Sequence, residues 1–331
     1  MRVHESNMMK NDKQDNSTTD ATELGRLIMG MRAAYARGEN AMEYARQQAD
    51  GAINTPVSTL IAYDLQAGSY IAVARANPEA RAKWCKQLAE ILDPYITEQS
   101  SLLEVGCGEA TTLAGVVKQL TRKPVESLGF DISWSRCAHA RTWLDEHNLS
   151  AQLFVADLFE IPLEDSSIDV VYTSHSLEPN GGKEEDAIKE LMRVARQAVV
   201  LIEPVYELAG AEAQARMDSH GYVRGLKETA ERLGAQVADY RLLDYCGNPL
   251  NPSGLVLIKK TPQTSSEQDV GIRWRCPLTR TGLTPNVAGY FSPQTGLVYP
   301  VLSGIPLLRA SHAVVGSAFE QLGIARDEPS R

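Results

Sequence analysis

The chain has 331 residues, 43% of them hydrophobic, and a formal net charge of -9 at pH 7. That length predicts about two domains with a real apolar core, and the acidic balance argues against a protein that coats nucleic acid or anionic membrane. No apolar run approaches the roughly 20 residues of a membrane helix and the polar start lacks the apolar segment of a secretory signal, so a cytoplasmic location is expected.

In chain order, residues 1–20 are rich in Asn, Asp, Ser and Thr and predict a disordered tail. Over 21–98 the apolar spacing is helical, with Pro78 placed at a helix start. Over 99–260 short β-rich runs alternate with amphipathic helices: "SLLEVG", "SLGFDIS", "AQLFVAD", "DVVYTSH", "AVVLIEP", "QVADYRLL" and "GLVLIKK" are the strands. That alternation predicts an α/β fold, a doubly wound parallel sheet with helices on both faces. After the linker "KTPQTSSEQD", residues 270–310 predict a small β-rich domain punctuated by Gly and Pro, and 311–331 a terminal tail. Five scattered cysteines (85, 107, 137, 246 and 276) form no CxxC pair. Reduced thiols are expected, not a disulfide framework or a metal cage.

The segment "SLLEVGCGEATTL" (101–113) carries the first chemistry. A glycine-rich turn after a strand lets the backbone approach a ligand, and the helix that follows offers its N-terminus. A dinucleotide loop wants GxGxxG, but Gly106 and Gly108 are followed by Thr111. Glu104, two residues before the first glycine, would repel a pyrophosphate yet could organise the ammonium of an amino-acid ligand such as S-adenosylmethionine. Cys107 between the glycines reads as a small filler, because its neighbours Glu104 and Glu109 would not activate a thiol. Asp131 ends the second strand, with Ile132 after it, where a carboxylate can accept both ribose hydroxyls. Asp157 closes the third, with Leu158 after it, placed to face an adenine amino group. Asp169 reads as a cap or packing group at the start of the fourth strand.

With these motifs in order, the run from Glu104 to Pro204 resembles the class I S-adenosylmethionine-dependent methyltransferases. The resemblance implies a Rossmann-like seven-stranded sheet whose final hairpin, "QVADYRLLDY" with "SGLVLIKK", is reversed. It implies S-adenosylmethionine as cofactor, held by Glu104, Gly106, Cys107, Gly108, Asp131, Ile132, Asp157, Leu158 and Ser174. Ala110 departs from the pattern, since many members have a third glycine there. In many members a segment before the first strand covers the cofactor, which makes Tyr63, Gln66 and Tyr70 of "YDLQAGSY" candidates for a lid or for the methionine carboxylate. Simple packing of the N-terminal helices on the sheet would use the same aromatics, and the sequence leaves both open.

The acceptor side belongs beyond the fourth and fifth strands, at the sheet's carboxyl edge. Methyl transfer is an in-line displacement that needs alignment, plus a base when the acceptor is a hydroxyl or protonated amine. His175 and His220 are the candidate bases because they titrate near neutrality, and Glu178 and Glu203, each before a proline, are the candidate acceptor-binding groups. Each histidine could equally serve only structure.

The stretches "RWRCPLTRTGL" and "GYFSPQTGLVYPVLSGIPLL" carry a second resemblance, to the small zinc-ribbon-like activators of tRNA and release-factor methyltransferases, with their CPxC start and YPVxxGIPxLL end. Cys276 stands where the first metal ligand would be, Thr279 replaces the second, and "FSPQTG" supplies none. One thiolate cannot make a four-ligand zinc site. The resemblance therefore implies a metal-free version, packed on the catalytic domain or contributing to substrate recognition.

Three functions follow as alternatives. A methyltransferase of a small polar metabolite, such as a sugar or sugar-nucleotide, suits the acidic chain without a basic tract. A methyltransferase of tRNA, rRNA or a translation protein is suggested by the activator-like end alone, and a nucleic-acid partner is not the expectation. A non-catalytic S-adenosylmethionine-binding protein is disfavoured by the full set of cofactor motifs. A homodimer stays open.

Overall fold

The computed structural model describes residues 21–48, 55–260, 274–286 and 288–319. The expected disordered tail over 1–20, the linker beyond Lys260 and the last twelve residues of the terminal tail lie outside that set. The chain divides into two compact units, residues 1–65 and 66–331.

The first unit holds α1 (Ala21–Ala36), α2 (Ala41–Gln48) and α3 (Pro56–Leu65) around Met31, Ala41, Ala45, Ile61 and Ala62. Local signals set its helix starts. The Asn40 side chain accepts the Met42 and Glu43 amides at 2.9 and 3.2 Å, satisfying donors that the first turn of α2 leaves free. Thr55 and Ser58 exchange hydrogen bonds at 3.0 and 3.1 Å in the manner of a capping box at the start of α3.

The second unit opens with α4 (Ser69–Ala76) and α5 (Pro78–Leu92), followed by β1 (Ser101–Val105), α6 (Thr111–Gln119), β2 (Glu126–Asp131), α7 (Trp134–Glu146), β3 (Gln152–Val155) and β4 (Ile168–Ser174). After these come α8 (Glu184–Val194), β5 (Ala195–Pro204), α9 (Ala211–His220), α10 (Leu226–Arg232), β6 (Gln236–Leu242) and β7 (Ser253–Lys259). All seven expected strands form, in the order β3-β2-β1-β4-β5-β7-β6. The first five run parallel and β7 is antiparallel to both β5 and β6, the reversed hairpin expected. β1 is buried throughout because helices cover both faces: α4, α5 and α6 share one core with it, and α8 and α10 share the other. Asp169 ties the strand starts together, accepting from the Ser101 amide at 2.9 Å and from Arg196 and Gln197 at 2.9 Å each. No helix among the described residues is long and apolar enough to cross a membrane.

The last segment forms a small antiparallel sheet from β8 (Thr284–Asn286), β9 (Gly289–Ser292), β10 (Leu297–Leu302), β11 (Ile305–Pro306) and β12 (Val314–Val315). It covers the β3 edge. The Leu308 amide donates to the Val155 carbonyl at 2.8 Å, continuing the ladder that β3 would otherwise present to solvent. Trp274 is buried edge-on against Phe154, centroids 4.8 Å apart, inside the second core. Arg280 donates to the buried Glu190 at 2.6 Å, a carboxylate that Arg193 also holds at 2.8 Å. Cys276 is buried with its thiol 3.3 Å from the Tyr299 hydroxyl. Among the described residues no group of three His, Cys, Asp or Glu gathers as metal ligands.

Candidate active site

The loop after β1 is built on a run of left-handed backbone: Gly106 has φ +66°, Gly108 +55° and Ala110 +53°. A side chain at 106 would also collide with Ser176, its Cβ lying 2.4 Å from the serine Cβ, so glycine is needed for conformation and for space. Ala110 adopts the conformation that the usual third glycine would take freely, at a cost of roughly 1–2 kcal/mol. The Cys107 amide donates to the Phe130 carbonyl at 2.8 Å and its sulfur packs on Gly129, in keeping with a filler.

Glu104, at the end of β1, is 2% exposed and its Oε2 has no donor among the described residues. Burial pushes its carboxyl up to about 8, with Arg81 and Tyr172 pulling the other way. Arg81 comes from α5 and was not among the residues singled out from the sequence. It donates to the Thr112 hydroxyl at 2.7 Å and to that of Thr111, in the first turn of α6, while its buried Nε has no acceptor among the described residues. One signal for it exists: Arg81 stands four and seven residues before Cys85 and Leu88, on the buried stripe of α5.

Asp131 ends β2, where one carboxylate oxygen accepts the Gly108 amide at 3.1 Å and the other the Ser133 amide at 2.9 Å. It thereby fixes the second glycine. Ile132 next to it is half-buried. Asp157 accepts the Phe159 amide at 3.1 Å and faces Arg309 of the small sheet at 3.6 Å; Leu158 beside it packs on the second core. Ser174 ends β4, opposite Ile202 of β5.

Tyr70 lies over the glycine loop. A Cβ on Gly108 would touch its ring at 3.2 Å, and the Arg136 guanidinium sits 4.3 Å from the ring centroid. What places it is Glu109, another residue outside the sequence expectations: fully buried, its carboxylate accepts the amides of Gly68 (2.9 Å), Tyr70 (3.3 Å) and Ile71 (2.8 Å) and so caps α4. Gln66 accepts the Ser69 amide through its carbonyl at 3.1 Å. Tyr63 belongs to the first unit.

On the acceptor side, the loop after β4 brings His175, Glu178 and Glu203 together. His175 has φ +58°, a strained conformation for a non-glycine residue. Its Nδ1 lies 2.8 Å from Glu178 and its Nε2 2.7 Å from the Ser253 hydroxyl at the start of β7. Burial lowers the proton affinity of His175, but the hydrogen bond that its Nδ1–H donates to Glu178 and the charges of Glu178 and Glu203 outweigh it and the net direction is up. Asn251 donates to Glu178 at 3.1 Å. Glu203 is buried beneath, accepting the Ser176 and Glu178 amides at 3.1 Å each, and burial pushes its carboxyl up to about 7. It holds the loop rather than facing outward. His220 is exposed at the end of α9, its Nδ1 2.8 Å from the Arg216 carbonyl, and no contact joins it to His175.

Residues 102–198 match the family model of a methyltransferase domain. Over that stretch the chain is similar to methyltransferase domains. The probable methyltransferase ltbC of Aspergillus luteorubrus is 28% identical over 122 residues, 34% of this chain and 42% of that protein, so the chain spans less than half the length of that relative. Among solved structures, the complex of the Haloferax volcanii Trm112 methyltransferase activator with a proposed methyltransferase is 16% identical with a TM-score of 0.46, covering 60% of this chain and 97% of that one. The [4+2]-cyclase SpnF is 16% identical with a TM-score of 0.44, covering 54% of this chain and 81% of that one. Likeness at that level says nothing of chemistry.

Proposed function

We propose that the protein is an S-adenosylmethionine-dependent methyltransferase acting on a small polar metabolite. The observation that carries this is a pair of unmet valences where β1 and α5 meet the glycine loop: a buried carboxylate oxygen of Glu104 without a donor and the buried Nε of Arg81 without an acceptor among the described residues. Together they complement the ammonium and the carboxylate of an amino acid. A pyrophosphate would satisfy only Arg81 and would be repelled by Glu104. In this reading Asp131 accepts the ribose hydroxyls and Asp157 meets the adenine amino group, while Tyr70, pinned by Glu109, covers the loop.

When bound there, S-adenosylmethionine supplies an electrophilic methyl group. The chain's own part is to align the acceptor and to take its proton. His175, with Nδ1 on Glu178, is the base and takes the proton at Nε2 through the Ser253 hydroxyl 2.7 Å from it, the serine passing on its own proton as it receives that of the acceptor; Asn251 holds Glu178, and Glu203 fixes the loop on which the pair stands. The small sheet acts as a built-in activator, covering the β3 edge and steadying Asp157 through Arg309. The activator-like end also favours a second acceptor class, a tRNA, an rRNA or a translation protein.

Incubation with methyl-labelled cofactor and separate panels of metabolites, RNA and protein tests the proposal. Label in the metabolite fraction supports it; label in RNA or protein replaces the acceptor class, and label nowhere leaves a binding protein. Two substitutions refine it. Asp131→Ala is expected to weaken S-adenosylmethionine by about 2 kcal/mol or more, the scale of lost charged hydrogen bonds, in calorimetry on the folded variant; unchanged affinity removes Asp131 from the site. His175→Gln is expected to spare cofactor affinity while slowing transfer by about 10²-fold or more. A histidine that only packs would lower the melting temperature and leave the rate per folded molecule nearly constant.

A further inference from the structure

Helix α9 is strapped onto the loop that carries His175 and Glu178. The Val223 amide donates to the Glu178 carbonyl at 3.1 Å, and the Gly181 amide to the Gly221 carbonyl at 3.2 Å. The approach is close enough to require glycine at 181, where a Cβ would stand 2.3 Å from the Gly221 oxygen. This strap brings Tyr222 and Arg216 to the acceptor side. Tyr222 lies within the electrostatic reach of Glu178 and of Tyr70, the residue over the glycine loop. The Arg216 guanidinium sits 5.6 Å from the Tyr222 ring centroid.

Arg216 differs from the cations around it. Arg224 is paired with Asp218, and the His220 ring is tied to its own helix. The Arg216 guanidinium is hydrogen-bonded to the Tyr222 side chain, yet its Nη1 is buried and meets no acceptor among the described residues. A guanidinium nitrogen withdrawn from water without a partner is costly, and it is the natural counterpart of an oxyanion.

From this placement, and resting on the methyltransferase reading above, we propose that the methyl acceptor bears a carboxylate, bound by Arg216 with the Tyr222 hydroxyl, while its reacting atom faces His175. Charge selects a carboxylate over a phosphate. Arg216 stands beside Tyr222 with one positive charge, whereas Glu178, within electrostatic reach of that tyrosine, and the buried Glu203 stand on the loop and strand next to His175. A single negative charge is matched there; a dianion would add repulsion from both carboxylates.

The test uses the full chain loaded with S-adenosylhomocysteine, whose own affinity is measured first by calorimetry. Failure of that binding would count against the cofactor reading, not this one. Matched probes are then titrated by ligand-observed NMR: benzoate, its neutral amide and phenyl phosphate, with the corresponding set built on 4-hydroxybenzoate. The expected result is a preference of about tenfold or more for carboxylate over amide and over phosphate, lost in Arg216→Met and reduced several-fold in Tyr222→Phe, with S-adenosylhomocysteine affinity unchanged in both. Tyr222→Phe keeps the test open if Arg216→Met does not fold. Equal binding of carboxylate and amide, a preference for phosphate, a preference that survives in both variants, or no carboxylate binding at millimolar concentration each overturns the proposal.

Discussion

Glu104→Gln is expected to weaken S-adenosylmethionine binding by about 2–3 kcal/mol at pH 8, roughly 30- to 150-fold, because a charge-assisted hydrogen bond is replaced by a neutral one. The same substitution has a signature in the ligand-free protein. Burial raises the Glu104 carboxyl from its ordinary 4.5 to about 8, so the folded state holds this proton more tightly than the unfolded chain. A group shifted in that direction contributes stability that is complete below pH 4.5 and is lost as pH rises through about 8. Glu203, pushed up to about 7, acts in the same direction, so the difference between wild type and variant isolates Glu104. Chemical denaturation at several pH values should show the wild type losing stability over that window and E104Q losing less. An ammonium seated on Glu104 requires the carboxylate, so binding at pH 7 should release about one proton and tighten as pH rises toward 8. Equal pH slopes in the two proteins would show that Glu104 carries no such burden.

Trp274→Ala is expected to cost about 3–5 kcal/mol, the range for removing a buried large aromatic. The indole fills the joint between the small sheet and the second core, against Phe154 on one side and Tyr290, at 5.9 Å, on the other. Loosening that joint withdraws cover from the β3 edge and from Arg309, which faces Asp157. The variant should therefore melt earlier and self-associate as it does so. A loss below about 1 kcal/mol by denaturant titration would mean that the small sheet is an appendage and not part of the catalytic unit's core.

The strands and the glycine loop were legible because their signals are local. β1 to β7 announce themselves by short apolar runs between turn residues, and Glu104, Asp131 and Asp157 stand at fixed places relative to strand ends. Even the irregularity at Ala110 was visible, as a missing glycine, and the structure gives it a backbone cause. What could not be read were residues that act across long stretches of chain. Glu109 caps α4 from 41 residues away, and no periodicity links the two because the cap position of that helix is Gly68. Ser253 reaches His175 across 78 residues through the reversed hairpin. Arg81 and Arg216 gain their meaning only from what fails to meet them. Of the two candidate bases, the structure joins His175 to the Glu178 carboxylate on the acceptor loop and leaves His220 exposed at a helix end, a difference set by strand order and the strap from α9 rather than by composition.

The most direct measurement is calorimetric titration of the full chain at pH 7 with S-adenosylmethionine and, separately, with nicotinamide dinucleotide, each in two buffers of different ionisation enthalpy. The account predicts saturable S-adenosylmethionine binding accompanied by release of about one proton, and much weaker dinucleotide binding. Dinucleotide binding the tighter of the two, or S-adenosylmethionine binding without proton release, would contradict it.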